Sequence, residues 1–254
     1  MTAVAAGWAL TVAGAHPVAL DARAVSETQS HTFSPREGQT WSVTADIATV
    51  RILGEAARRD VRVDITRQAA VAAHLARLPV VTRETEGGPE VIVRQADGAL
   101  DPSLRTEITI TAPATGSHGS IAVVEGALDV RGYHGRLEAT VTRGPIAASD
   151  VSGVLRFEST IGSVEVTGAR LEPGGLLRLR TFNGDLHLAL AEWPRDARLM
   201  ALALNGVIQS AVPLTMKDGW GPRWGEATFG TGEHVVSLDV VTGTIRIEAP
   251  AVRR

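Results

Sequence analysis

Cysteine is absent from all 254 residues, and lysine occurs once, at Lys217. The first absence excludes disulfides, thiolate metal sites, cysteine nucleophiles and attachment of lipid through a lipobox cysteine. The second leaves arginine to supply nearly all of the 25 basic side chains, which reads as a coding bias more than a chemical requirement. Aromatic residues make up only 4% of the chain, so a core must be built from the aliphatics that dominate its 44% hydrophobic share. Neither sign of charge is in excess. The 28 acidic and 25 basic residues give a formal net charge of −3, and no broad field for a polyanion follows. Disorder is excluded as well, because a chain this long and this aliphatic buries roughly 70–75% of its unfolded surface.

Long apolar runs are also lacking. An uncharged apolar run spans residues 2–15 and ends in Ala13, Gly14 and Ala15, a small-x-small pattern suited to signal peptidase. It is too short to cross a bilayer as a helix, which takes about 20 residues. It lacks the Lys or Arg that opens a secretory signal, and a translation start further upstream would supply one. We expect residues 1–24 to be a signal peptide or a flexible N-terminus, and the protein to be exported to the periplasm or cell surface. If the run is not cleaved, the protein is cytoplasmic.

Glycine, by contrast, is abundant at 26 residues, and it is placed rather than scattered. Gly126, Gly135, Gly144, Gly153 and Gly162 stand nine apart, and each opens the template G-x-Φ-x-Φ, with Φ apolar. The template returns at Gly175, Gly184 and Gly243, with a degenerate copy at Gly206. Earlier, Val50 with Ile52 and Val61 with Val63 keep the alternation without the glycine. Period-two alternation marks a strand with one buried face, and a glycine before it supplies a corner at no steric cost. Nine residues leave about five for the strand and four for the corner, which suits stacked coils whose Leu, Val and Ile form interior ladders. The expected fold is therefore all-β: a single-domain parallel β-solenoid, β-helix-like, with one short helix near residues 68–78. A hairpin sandwich competes, since Asn183-Gly184 and Asn205-Gly206 are two-residue turn signals. A calcium β-roll is excluded, because the position two after each glycine is Leu, Ile or Val and not Asp.

Outside the repeats, residues 40–52, 60–66, 90–94 and 105–111 read as strands. Val71, His74, Leu75 and Leu78 fall at helical spacing over residues 68–78, and Pro79 closes that helix. No linker divides residues 25–252, which form one domain. Two repeats per coil place Asp129, Ala147 and Glu165 in one outward row and Glu138 beside Arg156 in another.

Chemistry-bearing motifs are sparse. The seven histidines form neither H-x-H nor H-E-x-x-H, so no metal site or cofactor is expected. His187 reads as a solvated strand residue. The segment Gly116 to Ser120 contains a Ser-His pair but no strand-to-helix turn, and reads as a short polar loop. No phosphate-binding lysine loop exists. Asp129 and Glu165 would lie about 9–10 Å apart across coils spaced ~4.8 Å, at the upper edge of the range for an inverting carboxylate pair.

The most distinctive stretch runs from Lys217 to Glu226. Trp220, Arg223, Trp224 and Glu226 combine indole faces with opposite charges, as a carbohydrate or peptide patch requires. The same indoles could instead fold over an open end of the coil as a cap, which uncovered strand edges demand.

On Thr40 to Ile52, on the repeats from Gly126 to Val166, on residues 178–186 and 203–206, and on Asp239 to Ile245, the chain resembles the bacterial putative-adhesin family of unknown function, whose members form β-solenoid domains. Ala48 replaces the glycine of the first repeat. The resemblance implies a non-catalytic structural or adhesin-like module of the cell envelope, with an unknown protein or polysaccharide on its outer solenoid face, no nucleic acid partner and no integral membrane span. The alternative is a β-helix carbohydrate-active enzyme that works through face carboxylates.

Overall fold

The computed structural model describes residues 25–96, 100–217 and 221–250. Among the described residues the first elements are β1 (Val25–Phe33), β2 (Trp41–Glu55) and β3 (Val61–Ala69), then the single turn α1 (Ala72–Leu75), then β4 (Val80–Thr85), β5 (Gly88–Val93) and β6 (Arg105–Pro113). The repeats supply β7 (Thr115–Arg131), β8 (His134–Arg143), β9 (Ile146–Ser149), β10 (Val154–Ile161), β11 (Val164–Ala169), β12 (Leu176–Asn183) and β13 (Leu186–Leu190). Last come β14 (Ala197–Ser210), β15 (Thr215–Lys217), β16 (Arg223–Phe229) and β17 (His234–Glu248).

Within the run of nine-residue spacings, two repeats separate parallel partners. Leu137 lies beside Leu155 in β8 and β10, while Ile146 lies beside Val164 in β9 and β11. Leu155 lies in turn beside Leu177, and Leu177 beside Val236, so alternate residues of these parallel strands stack into aliphatic ladders. These inward residues are buried in one continuous cluster that runs from Phe33 to Ile247. Its aromatics are few, as the composition requires: Phe33, Trp41, Tyr133 and Phe157.

The glycines hold the corners by close approach. A Cβ on Gly144 would stand 1.6 Å from the carbonyl oxygen of Gly126, and one on Gly162 would stand 2.1 Å from that of Gly144. Gly184, Gly243 and Gly206 extend the same column. Ala48 ends it: it lies beside Thr106 at the start of β6, where no further glycine corner follows. Two buried hydroxyls bind the column from inside, Ser159 Oγ donating to the Gly144 carbonyl and Thr181 Oγ1 to that of Gly162, each at 2.8 Å.

The open β-solenoid expected from the repeats is corrected by the closure of these strands. The chain forms a closed parallel β-barrel of eight strands with additional strands around it. Strands β2, β7, β14 and β17 run straight through the corners and pair on both sides of them, which joins all seventeen strands into one sheet. Antiparallel strands then extend it: β3 beside β6 and β1 beside β3, β4 beside β5, and β16 beside β14 with β15 beside β16. Alternation could not reveal this, because a buried inner face demands period two whether the sheet is open or closed.

The helix expected over residues 68–78 is shorter than its pattern. Gln68 and Ala69 belong to β3, where pairing with β1 and β6 outcompetes an isolated helix, and only Ala72 to Leu75 are helical. Leu75 and Leu78 still bury their side chains, in a small cluster with Ala69 and Leu104. The guanidinium of Arg67 donates to the carbonyls of Leu75 and Leu78 and pairs with Glu27 at 2.8 Å. Among the described residues no helix is long and apolar enough to cross a membrane. The expected signal segment, residues 1–24, lies outside them.

Candidate functional site

Of the four residues singled out as a binding patch, Arg223, Trp224 and Glu226 lie on β16, and Trp220 lies outside the described residues. Period two puts Trp224 and Glu226 on one face. Antiparallel pairing sets Lys217 of β15 opposite Trp224. From there its ammonium reaches 3.4 Å from Glu226 Oε1 and stands 5.6 Å from the centre of the indole ring. The carboxylate thus holds the cation over the ring, a contact worth about 0.5–1 kcal/mol at an exposed site. Trp224 is half-buried, and its Nε1 is buried without a hydrogen-bond partner. Arg223 is exposed and makes no ion pair among the described residues. Gly225 faces the other side of the strand, where a Cβ would come 2.8 Å from Met216 Sδ, the end of a flexible side chain.

The register continues this face across the sheet. Trp224 lies beside Leu202, Leu202 beside Asp239, Asp239 beside Arg180, and Arg180 beside Glu158. Arg180 stacks over Phe182 at 4.8 Å and approaches Glu158 at 3.9 Å. Phe182, Leu204 and Met216 are among the exposed large hydrophobic side chains. The sequence reading missed Phe182 and Arg180, although their alternation with Leu179 and Thr181 in a period-two strand was the available signal.

The opposite ladder carries charge rather than apolar surface. Asp129, Ala147 and Glu165 are successive neighbours, as the repeat spacing requires, but their carboxylates are committed. Arg131 holds Asp129 at 2.7 Å with Arg51 at 3.8 Å, and His187 Nδ1 lies 3.3 Å from Glu165. His187 Nε2 lies 3.1 Å from Glu248 but is buried without a hydrogen-bond partner among the described residues, so this histidine is less solvated than its outward position suggests. With Asp185, Gln209, Thr244 and Arg246 it lines a shallow hollow of about 330 Å3. Glu138 and Arg156 stand side by side in register, yet no ion pair joins them among the described residues.

This arrangement has relatives among solved structures. A putative cell adhesion protein from Clostridium sporogenes shares the fold with a TM-score of 0.51 and 10% identity, over 88% of this chain and 99% of that one. A putative adhesin from Bacteroides fragilis matches at 11% identity with a TM-score of 0.35, over 87% of this chain and 97% of that one. A putative lipid binding protein from Parabacteroides distasonis matches at 11% identity with a TM-score of 0.32, over 88% and 97% of the two chains. The resemblance to bacterial putative adhesins is thus found in structure. At such identities it is a likeness of fold. No family model and no curated protein matches the chain.

Proposed function

We propose that the chain is a non-catalytic, adhesin-like binding module of the bacterial cell envelope, exported to the periplasm or cell surface, whose partner is a protein or polysaccharide. The contact surface in this reading is the outward face of β12, β17, β14 and β16. The observation that carries it is the pairing of two aromatic rings with two cations on that face, Trp224 under Lys217 and Phe182 under Arg180. The exposed Phe182 ring and the half-buried Trp224 ring offer apolar area beside a polar rim, which suits a sugar ring or a peptide. The putative adhesin structures support this reading by description and fold, and the committed carboxylates of Asp129 and Glu165 give the enzyme alternative nothing to build on.

A specific observation also favours the cap: Trp224 is half-buried, with its indole nitrogen out of solvent. Replacing Trp224 and Phe182 singly with Ala separates the two roles on a glycan array and in melting. Loss of signal in both variants at nearly unchanged melting temperature supports the binding face. A fall of several degrees for Trp224→Ala with full retention of binding by both variants would leave Trp224 as a cap and remove the proposal.

A further inference from the structure

Two hollows open beside the first strands, at the opposite end of the sheet from Trp224. The larger, about 570 Å3, counts Glu84 and Glu86 against Arg36 in its lining. The smaller, about 440 Å3, reverses the balance: Arg36, Arg58, Arg59 and His118 share its lining with the single carboxylate of Glu37 and with Trp41. This concentration is local, in a chain whose formal net charge is −3. Arg58 is already committed, with Glu55 at 3.1 Å and Asp60 at 2.9 Å. Arg36 and Arg59 make no ion pair among the described residues, and both are exposed.

The cleft is built on a rigid floor. Between Thr115 and His118 the pairing with β8 shifts register, so that Gly116 and Ser117 bulge toward the hollow. Ser117 is buried and fixed twice: its Oγ accepts from Trp41 Nε1 at 2.8 Å, and its carbonyl accepts from the Tyr133 hydroxyl at 2.6 Å. Trp41 and Tyr133 meet edge to face at 6.5 Å. Gly119 admits the indole, because a Cβ there would stand 2.2 Å from it. On the facing wall, the Gln39 side chain accepts from the Arg36 backbone N–H at 2.9 Å, and the Gln39 N–H returns to the Arg36 carbonyl at 3.0 Å.

We propose that this cleft binds an oxyanion, a phosphoryl or carboxylate group of a larger ligand, with Arg36 and Arg59 as its principal contacts and His118 as a further donor. Two exposed arginines without ion-pair partners among the described residues line one hollow, and a bound anion offsets the like charge gathered there. Their planar forks match the paired oxygens of phosphate and carboxylate. The bulge that presents His118 is already ordered, so binding spends little on arranging it. The inference is independent of the Trp224 face and survives or fails without it.

The test is titration of the isotope-labelled full chain with sodium phosphate and, separately, sodium acetate at constant ionic strength, read from backbone amide shifts. Saturable shifts confined to Gly38, Arg59, Gly116 and His118 are expected with at least one anion, and the tighter of the two names the group. The double variant R36Q/R59Q should weaken that binding at least tenfold, with R198Q on β14 as an unaffected control. Arg59→Glu alone, which leaves the 36–39 turn intact, should abolish it. Non-saturating shifts spread over exposed arginines, or affinity within twofold of the parent in Arg59→Glu, would overturn the proposal.

Discussion

Replacing Gly144 with Ala tests whether the corners are held by backbone contact or only by turn geometry. The added Cβ would lie 1.6 Å from the Gly126 oxygen and 2.8 Å from its carbon, against an ordinary van der Waals distance near 3.4 Å. The two backbones would have to part by more than about 1.5 Å, a third of the ~4.8 Å strand spacing. Three main-chain hydrogen bonds sit at this corner: Leu128 N–H to the Pro145 carbonyl at 3.1 Å, Gly144 N–H to Ile161 at 2.8 Å and Ile146 N–H to Ser163 at 2.9 Å. Losing two of them costs about 2 kcal/mol. Holding alanine at φ +137° adds about 1–3 kcal/mol. The total near 4 kcal/mol corresponds to a fall of about 10 °C in melting temperature for a domain of this size. Gly38→Ala is the control, because Gly38 also has positive φ (+83°) but meets nothing within 4 Å. Urea denaturation of both variants measures the difference directly. If Gly144→Ala loses no more stability than Gly38→Ala, the corners are not in contact and the account of the glycine column is wrong.

The buried hydroxyl of Thr181 should matter through its hydrogen bond rather than its volume. Thr181→Val keeps the shape but leaves the Gly162 carbonyl without that donor, at a cost of about 1–2 kcal/mol in denaturant titration, while Thr181→Ser should lie within about 0.5 kcal/mol of the parent. Stability should also depend on His234, whose pKa burial holds below the ordinary histidine value. Its Nδ1–H donates to the Glu172 carbonyl at 2.7 Å and its Nε2 is buried without a partner, so a second proton has nowhere favourable to go. The unfolded chain takes that proton more readily. Stability is therefore full above about pH 6.5 and falls as the pH drops from there toward the lowered folded value. Urea midpoints between pH 7.5 and 5.5 should decline, and the decline should flatten in His234→Gln; a midpoint that rises on acidification contradicts the assignment.

Strand positions were legible where pattern and spacing agreed. The stretch 40–52 is β2, 60–66 falls in β3, 90–94 overlaps β5 and 105–111 lies in β6, because each alternates apolar with polar residues. The strand β1 escaped notice for the opposite reason. Its nine residues are nearly all exposed or half-exposed, so VSETQSHTF carries no apolar alternation, and pairing with β3 alone makes it a strand. Residues 68–69 were misread as helical because Ala-rich sequence satisfies both periods, and the ladder with β1 and β6 decides. At the candidate site, the composition of residues 217–226 pointed to Trp224 and Glu226, but the role of Lys217 required knowing that β15 folds back antiparallel. The basic cleft was not legible, since Arg36 and Arg59 come from two loops and His118 from strand β7, far apart in the chain.

The sequence by itself determined which residues face inward, where the chain turns and how far apart parallel neighbours lie, because these follow from local sterics: period two for a strand, and a missing Cβ where backbones touch. Only the tertiary structure decided that the sheet closes, that antiparallel strands extend it, and that cations from distant turns converge on one cleft. Closure depends on strands such as β7 and β17 that pass through a corner and pair on both sides. A local pattern describes one face of one strand, and it holds no record of which strand finally lies beside it.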